Sequence, residues 1–236
     1  MKTILKLSVV AMAFFACKNQ TNKPEVSNTE TVNNLAFEGL KSNGIIEITD
    51  TTQLETIDSA AIKNALKGDA FYNLVFWKNR AIVYTDSKVV EVISASLMSI
   101  PNTLIETQTE VLYNFNRTWC DSIEDKSIWK NYILSASLVN DSLKQQEYID
   151  AHNTQRDKWP DVAKGFCHAN FQQLQIFKIG RQLVLIIRVP AANTLEELDP
   201  KTLENNPKMV EWNNLMKDYQ TGLPGTKPGE TWVFFK

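Results

Sequence analysis

Apolar positions along the chain fall into runs whose spacing alternates between the strand and helix periods. In the second half, 132–139 reads as a strand. Ser142 and Gln145, three apart, form a capping-box pattern ahead of a helix expected to reach about 158. Runs at 172–178 and 181–189 flank Gly180 and predict a hairpin. Asn206-Pro207 opens a second helix, because Pro suits the first turn. Met209, Trp212, Met216 and Tyr219 then share one helical face. Gly222, Pro224 and Gly225 break that helix, and 231–235 is a last strand. The first half gives the same order: strand 44–49, helix 54–66, strands 71–78 and 81–85, helix 88–98, strand 109–115.

The halves also share residues. Phe71-Tyr72-Asn73-Leu74-Val75-Phe76-Trp77-Lys78 parallels Phe171-Gln172-Gln173-Leu174-Gln175-Ile176-Phe177-Lys178. Lys88-Val89-Val90-Glu91-Val92 parallels Lys208-Met209-Val210-Glu211-Trp212, and Ile100-Pro101-Asn102-Thr103 parallels Leu223-Pro224-Gly225-Thr226. Three matches in one order point to an internal repeat. Each half reads βαββαβ, the ferredoxin-like pattern, whose sheet carries helices on one face and leaves the other apolar. Two such sheets cover each other by packing face to face. The expected class is therefore α+β: two ferredoxin-like repeats packed as an intramolecular pseudo-dimeric α+β barrel. The expected parts are a degenerate repeat over 39–116, a linker over 117–128 and a second unit over 129–236.

Composition narrows the function. Of 236 residues, 43% are hydrophobic and 22% charged, which excludes a mainly disordered chain. Lys+Arg 25 against Asp+Glu 27 leaves no basic excess, so nucleic acid is not an expected partner. Residues 1–17, MKTILKLSVVAMAFFAC, have a basic start and an apolar run shorter than the about 20 residues that span a bilayer. This is the layout of a signal peptide over 1–16, and Ala16 before Cys17 resembles a bacterial lipoprotein signal with lipid on Cys17. The polar stretch that follows reads as a tether over 17–38. The expectation is a cell-envelope protein that meets the membrane through a lipid anchor only. Loss of Lys2 and Lys6 with the signal leaves 23 basic against 27 acidic residues, net −4. For Cys120 and Cys167 two readings stay open: a disulfide in an oxidising compartment, or two unpaired thiols. With His152 and His168 the only histidines, a multi-histidine metal site is not expected, and His168 beside Cys167 makes no site by itself.

The second half resembles the L-rhamnose mutarotase family. The resemblance rests on Asn205-Asn206-Pro207-Lys208-Met209-Val210-Glu211-Trp212-Asn213-Asn214-Leu215-Met216, then Leu223-Pro224-Gly225 and Lys227-Pro228-Gly229-Glu230 with Trp232-Val233. Glu147-Tyr148 with His152-Asn153, Trp159-Pro160-Asp161-Val162 and Ile176-Phe177-Lys178-Ile179-Gly180 extend it. The resemblance implies a ferredoxin-like unit that pairs sheet to sheet. It implies interconversion of the α and β anomers of a 6-deoxy monosaccharide, without metal or organic cofactor, in rhamnose catabolism. It also implies His152 as proton donor, and Tyr148 and Trp212 as sugar contacts.

Mutarotation needs a base at the anomeric hydroxyl and an acid at the ring oxygen, and histidine serves both near neutral pH. Tyr148 and His152 are four apart and share a helix face. Asp150 and Glu211 are the candidate carboxylate partners, with nothing to choose between them. Departures from the family pattern are three extra residues between His152 and Trp159, Leu174 at a sugar-binding Tyr position, and Asn213 at a second Trp position. Three residues are about 300° of helix, so either His152 keeps its face or Gln155 takes the catalytic place. The first half has no histidine, and Val92 stands opposite Trp212. The expectation is one active half, one scaffold half, and a monomer. A sugar-binding lipoprotein that kept the fold without the chemistry is the alternative.

Overall fold

The computed structural model describes residues 42–67, 72–121 and 128–236. The expected signal, Cys17, the tether, Phe71 and part of the linker lie outside the described residues. The first unit runs β1 (Asn43–Asp50), α1 (Ser59–Ala65), β2 (Tyr72–Trp77), β3 (Arg80–Asp86), α2 (Val90–Leu97) and β4 (Thr103–Gln108). Its sheet has the order β2-β3-β1-β4 with every neighbouring pair antiparallel. The crossover through α1 leaves a slot beside β1 that β3 fills from the hairpin, which is the split βαβ arrangement. The helix expected at 54–66 starts only at Ser59. Asp58 caps it by accepting from Ala61 N at 2.9 Å, while Asp50 holds Thr52 in a preceding turn.

The second unit runs β6 (Trp129–Leu138), α3 (Ser142–Asn153), α4 (Gln155–Lys158), α5 (Pro160–His168), β7 (Gln173–Ile179), β8 (Gln182–Pro190), α6 (Leu195–Leu198), α7 (Pro207–Lys217), β9 (Gln220–Thr221) and β10 (Val233–Phe235). A 3-10 segment, Asp199–Leu203, follows α6. The cap of α3 is Asp141, which accepts from Leu143 N and Lys144 N, and not Ser142 as the capping-box pattern predicts. The helix expected to reach 158 ends at Asn153, and Thr154 turns its hydroxyl back onto the Asp150 carbonyl at 2.8 Å. Gly180 at the β7–β8 turn and Lys78 at the β2–β3 turn both take left-handed backbone, with φ of 54° and 49°.

The strand expected at 109–115 to close the first unit does something else. The fourth strand of the first sheet is β4. The next strand, β5 (Val111–Asn116), crosses over and pairs with β7, giving the second sheet the order β10-β6-β8-β7-β5. Without β5 that order is the one found in the first sheet.

Side chains alternate between the two faces of each strand. On β1, Ile46 and Ile48 turn to α1 and α2, while Ile45 turns to the second sheet; on β8, Leu185 and Ile187 turn to the helices, while Val184 and Ile186 turn to the first sheet. The result is four layers: helices, sheet, sheet, helices. Between the sheets Ile45, Ile82 and Tyr84 meet Phe177, Val184 and Ile186. Polar bonds cross the same space, from the Tyr84 hydroxyl to Gln175 Oε1 at 2.7 Å and from Arg80 Nη1 to Gln182 Oε1 at 2.9 Å. At one edge, Phe76 and Lys236 exchange backbone hydrogen bonds of 2.8 and 2.9 Å. A disulfide joins Cys120, just past β5, to Cys167 of α5, with Cα atoms 5.6 Å apart.

Candidate functional site

The helices of the second unit cover their sheet incompletely and leave a cavity of about 630 Å³, open mouth included. Its floor is apolar: Leu174 and Ile176 of β7, Leu185 and Ile187 of β8. Tyr148 and His152 of α3 form one wall, and Met209, Trp212 and Met216 of α7 another. The structure thus brings together His152, Tyr148 and Trp212. The His152 ring centroid lies 4.2 Å from that of Tyr148 and 5.1 Å from that of Trp212. Tyr113, carried in on β5, closes the ring from a fourth side at 5.3 Å.

His152 is 7% exposed. Its Nδ1 lies 2.9 Å from the Tyr148 carbonyl, an acceptor only, so Nδ1 carries the proton and the neutral ring keeps its lone pair on Nε2. Burial outweighs that bond and pushes the imidazole down to about 4. The side chain is therefore uncharged at neutral pH, with a basic nitrogen available in the cavity.

Polar groups without partners gather at the same place. Among the described residues, four buried side-chain atoms with no hydrogen-bond partner belong to cavity residues, Tyr113 Oη, Gln155 Nε2, Gln155 Oε1 and Asp199 Oδ2, while the Tyr148 hydroxyl faces Gln220. Buried polar groups are normally satisfied, so these atoms are free to bond what enters the cavity. Burial raises both tyrosine hydroxyls well above the usual phenol range. Trp212 packs on Trp159 at 5.6 Å between ring centroids and also lines the cavity.

The two candidate carboxylates lie elsewhere. Asp150 is exposed and accepts from Gln146, and Glu211 is exposed and paired with Lys208 at 2.7 Å. Each sits on the outer side of its helix. Gln155 and His152 both line the cavity, because the helix break at Thr154 resets the phase, so neither displaces the other. Leu174 and Asn213 also line it. His168 is at the surface, 3.0 Å from Glu204. Among the described residues no cluster of three or more His, Cys, Asp or Glu is placed to hold a metal, and no helix is long and apolar enough to cross a membrane. Sequence reasoning missed Tyr113, whose strand was assigned to the other sheet. It also missed Asp199, which sits in a polar stretch; the pair Leu195 and Leu198 just before it was the available signal that this stretch turns inward.

Residues 134–236 match the family model described as L-rhamnose mutarotase. Every cavity residue except Tyr113 falls in that segment. An L-fucose mutarotase of Xanthomonas campestris is 33% identical over 79 residues, 31% of this chain and 58% of that protein. A UPF0734 protein of Dictyostelium discoideum is 29% identical over 116 residues, 46% of this chain and 86% of that protein. Among solved structures, a bacterial light-regulated adenylyl cyclase aligns over 82% of this chain and 78% of its own, at 9% identity and a TM-score of 0.22, too slight a likeness to carry an argument. The second half of the chain is mutarotase-like.

Proposed function

We propose that the protein is a mutarotase for a 6-deoxy sugar of the L-rhamnose or L-fucose kind. The observation that carries this reading is the partnerless polar ring around His152 in one apolar-floored cavity. Nε2 of the neutral imidazole takes the proton of the anomeric hydroxyl. The C1–O5 bond breaks and the open aldehyde turns about C1–C2. Closure on the other face returns the proton from His152. The indole of Trp212 and the ring of Tyr148 meet the apolar C–H face of the sugar, while the hydroxyls of Tyr148 and Tyr113 and the Gln155 amide bond its hydroxyls.

The two units act as an internal pair, with the first as scaffold, in place of the homodimer that the family resemblance implies. Their shared strand order and the apolar core between their sheets support this. Export and lipid anchoring through Cys17 are part of the same proposal, supported by the Cys120–Cys167 disulfide, since such bonds persist in oxidising compartments. Fractionation of cells carrying Cys17→Ser checks the anchor: the protein is expected to leave the membrane fraction.

The decisive measurement is anomer exchange by saturation-difference NMR with L-rhamnose and L-fucose. Wild type is expected to speed exchange, and His152→Ala to lose at least about a hundredfold. No enhancement over buffer by wild type removes the enzyme reading; equal rates remove the role of His152. A second reading, sugar binding without turnover, is favoured by apolar Leu174 in the cavity floor. It predicts saturation transfer to the bound sugar with no exchange between anomers.

A further inference from the structure

Ring opening leaves a negative charge on the ring oxygen unless a second group supplies a proton there. His152, with Nδ1 tied to the Tyr148 carbonyl, has only Nε2 to work with and is occupied at the anomeric hydroxyl. The two tyrosine hydroxyls are held far from ionising by burial. Among the described residues one carboxyl lines the cavity, that of Asp199.

We propose that Asp199 is the acid that protonates the ring oxygen and, on closure, takes that proton back. This rests on the mutarotase reading. Three observations about the side chain carry it. Asp199 lines the same cavity as His152 and is carried by the 3-10 segment packed against α5, α6 and α7. It is 3% exposed, and its Oδ2 has no hydrogen-bond partner. Among the described residues no Lys or Arg lines the cavity, so none of them neutralises a carboxylate there. A structural aspartate buried to this degree is normally held by donors or a cation, because an unpaired buried charge is costly. Asp199 has no such tie, and a group kept under that penalty in a cleft is a functional candidate.

The charged groups on the packed elements do not change its environment. On α5, Asp161 is paired with Lys164, and His168 with Glu204. On α7, Lys208 and Glu211 pair with each other, and on α6, Glu196 and Glu197 are exposed; none of these lines the cavity. From α3 and β5 come only His152, Tyr148 and Tyr113. Burial alone pushes the Asp199 carboxyl up to about 7, so it is largely protonated in mildly acid solution.

The step balances. Nε2 of His152 accepts the O1 proton and the O1 electrons form the carbonyl. The C1–O5 electrons pass to O5, which takes the Asp199 proton. The cavity then holds an imidazolium and a carboxylate around a neutral open-chain aldehyde. After rotation O5–H attacks C1, Asp199 recovers its proton from O5, and His152 returns one to O1. Two titrating groups driven apart by their surroundings are the usual mark of an acid/base pair.

The working form has neutral His152 and protonated Asp199. It is lost as pH falls through about 4 and as pH rises through about 7. Wild-type exchange of L-rhamnose or L-fucose is therefore expected to fall on the alkaline side of about pH 7. Asp199→Asn, close in shape and unable to give up a proton, is expected to lose about a hundredfold or more in turnover. Its affinity for the sugar should hold within a few-fold, and its residual rate should lack the alkaline limb. Wild-type turnover flat from pH 6 to 9, a reading that does not depend on any variant folding, overturns the proposal. So does an Asp199→Asn protein with wild-type turnover, or one that loses affinity while keeping turnover, which makes Asp199 a binding group. In each of those cases a His152→Ala loss leaves the mutarotase reading standing. Absence of exchange by wild type with either sugar overturns both.

Discussion

Burial acts on His152 and Asp199 with opposite signs, and this has consequences for stability that do not depend on any sugar. The folded histidine lies at about 4, below its unfolded value of about 6.5, so between these the unfolded chain binds more protons and stability is lost as pH falls. The folded aspartate lies at about 7, above its unfolded value of about 3.9, so in that window the folded chain binds more protons and stability is lost as pH rises. From about pH 4 to 6.5 the two slopes oppose each other, each up to about 1.4 kcal/mol per pH unit. Removing one exposes the other. Relative to wild type, Asp199→Asn is expected to gain stability steadily as pH rises from 4 to 7, and His152→Gln to gain it as pH falls from 6.5 to 4. Urea melts across that range check this, and parallel curves for all three proteins defeat the assignment. His152, Tyr148 and Trp212 carry a spacing and a resemblance that survive in one dimension. Asp199 carries neither, since its burial is made by α5, α6 and α7 closing over it, and a lone aspartate in Glu-Glu-Leu-Asp-Pro-Lys reads as solvated. Asp150 and Glu211 were attractive because they neighbour the motif in sequence, yet on a helix a near neighbour in sequence points away.

The elements that place Asp199 are fixed by one close approach. Gly165 of α5 has no side chain where the 3-10 segment passes; a Cβ there would lie 2.7 Å from the Thr202 carbonyl oxygen and 2.9 Å from Asn206 Nδ2. Those atoms belong to a backbone turn and a helix cap, since Asn206 accepts from Met209 N and donates to the Asp161 carbonyl. They have little room to yield. Gly165→Ala is expected to cost about 1–3 kcal/mol through overpacking, and to shift the segment bearing Asp199. The measurable sign is a lower melting temperature together with a fall in sugar turnover larger than stability explains; a variant as stable and active as wild type removes this account. Other elements divide in the same way between legible and hidden. The paired hairpins and the helix begun by Asn206-Pro207 were readable because period-two and period-3.6 patterns are local. The partner of 109–115 was not, because alternation shows that a strand exists and says nothing of which sheet it joins. Phe115 is fully buried against Trp119 and Phe166, so β5 belongs to the second sheet by packing as well as by hydrogen bonds.

For the molecule as a whole, a telling contact is one of those that tie sheet to sheet through a charge. Arg80 of β3 bonds Glu47 Oε1 of β1 at 2.6 Å and Gln182 of β8 at 2.9 Å. Glu47 is 1% exposed, and burial lifts its carboxyl above the usual range even though Arg80 pulls it down. Such a pair adds little over a well-packed apolar one, because desolvation offsets most of the attraction, but breaking it leaves a stranded charge. Arg80→Met should therefore destabilise by about 3–5 kcal/mol. The double change Arg80→Met with Glu47→Leu should recover most of that loss, because neither member of the pair is then left buried without the other. The single variant adds a pH signature. Without Arg80 the folded Glu47 carboxyl rises further above its unfolded value, so the folded chain holds a proton the unfolded chain gives up, and stability falls as pH rises through that window. Arg80→Met is thus least damaging in acid, and the double variant loses this dependence. Denaturant melts of wild type, single and double variants at acid and neutral pH measure both effects. A double variant no more stable than the single would show that Arg80 acts through Gln182 and the second sheet rather than through Glu47.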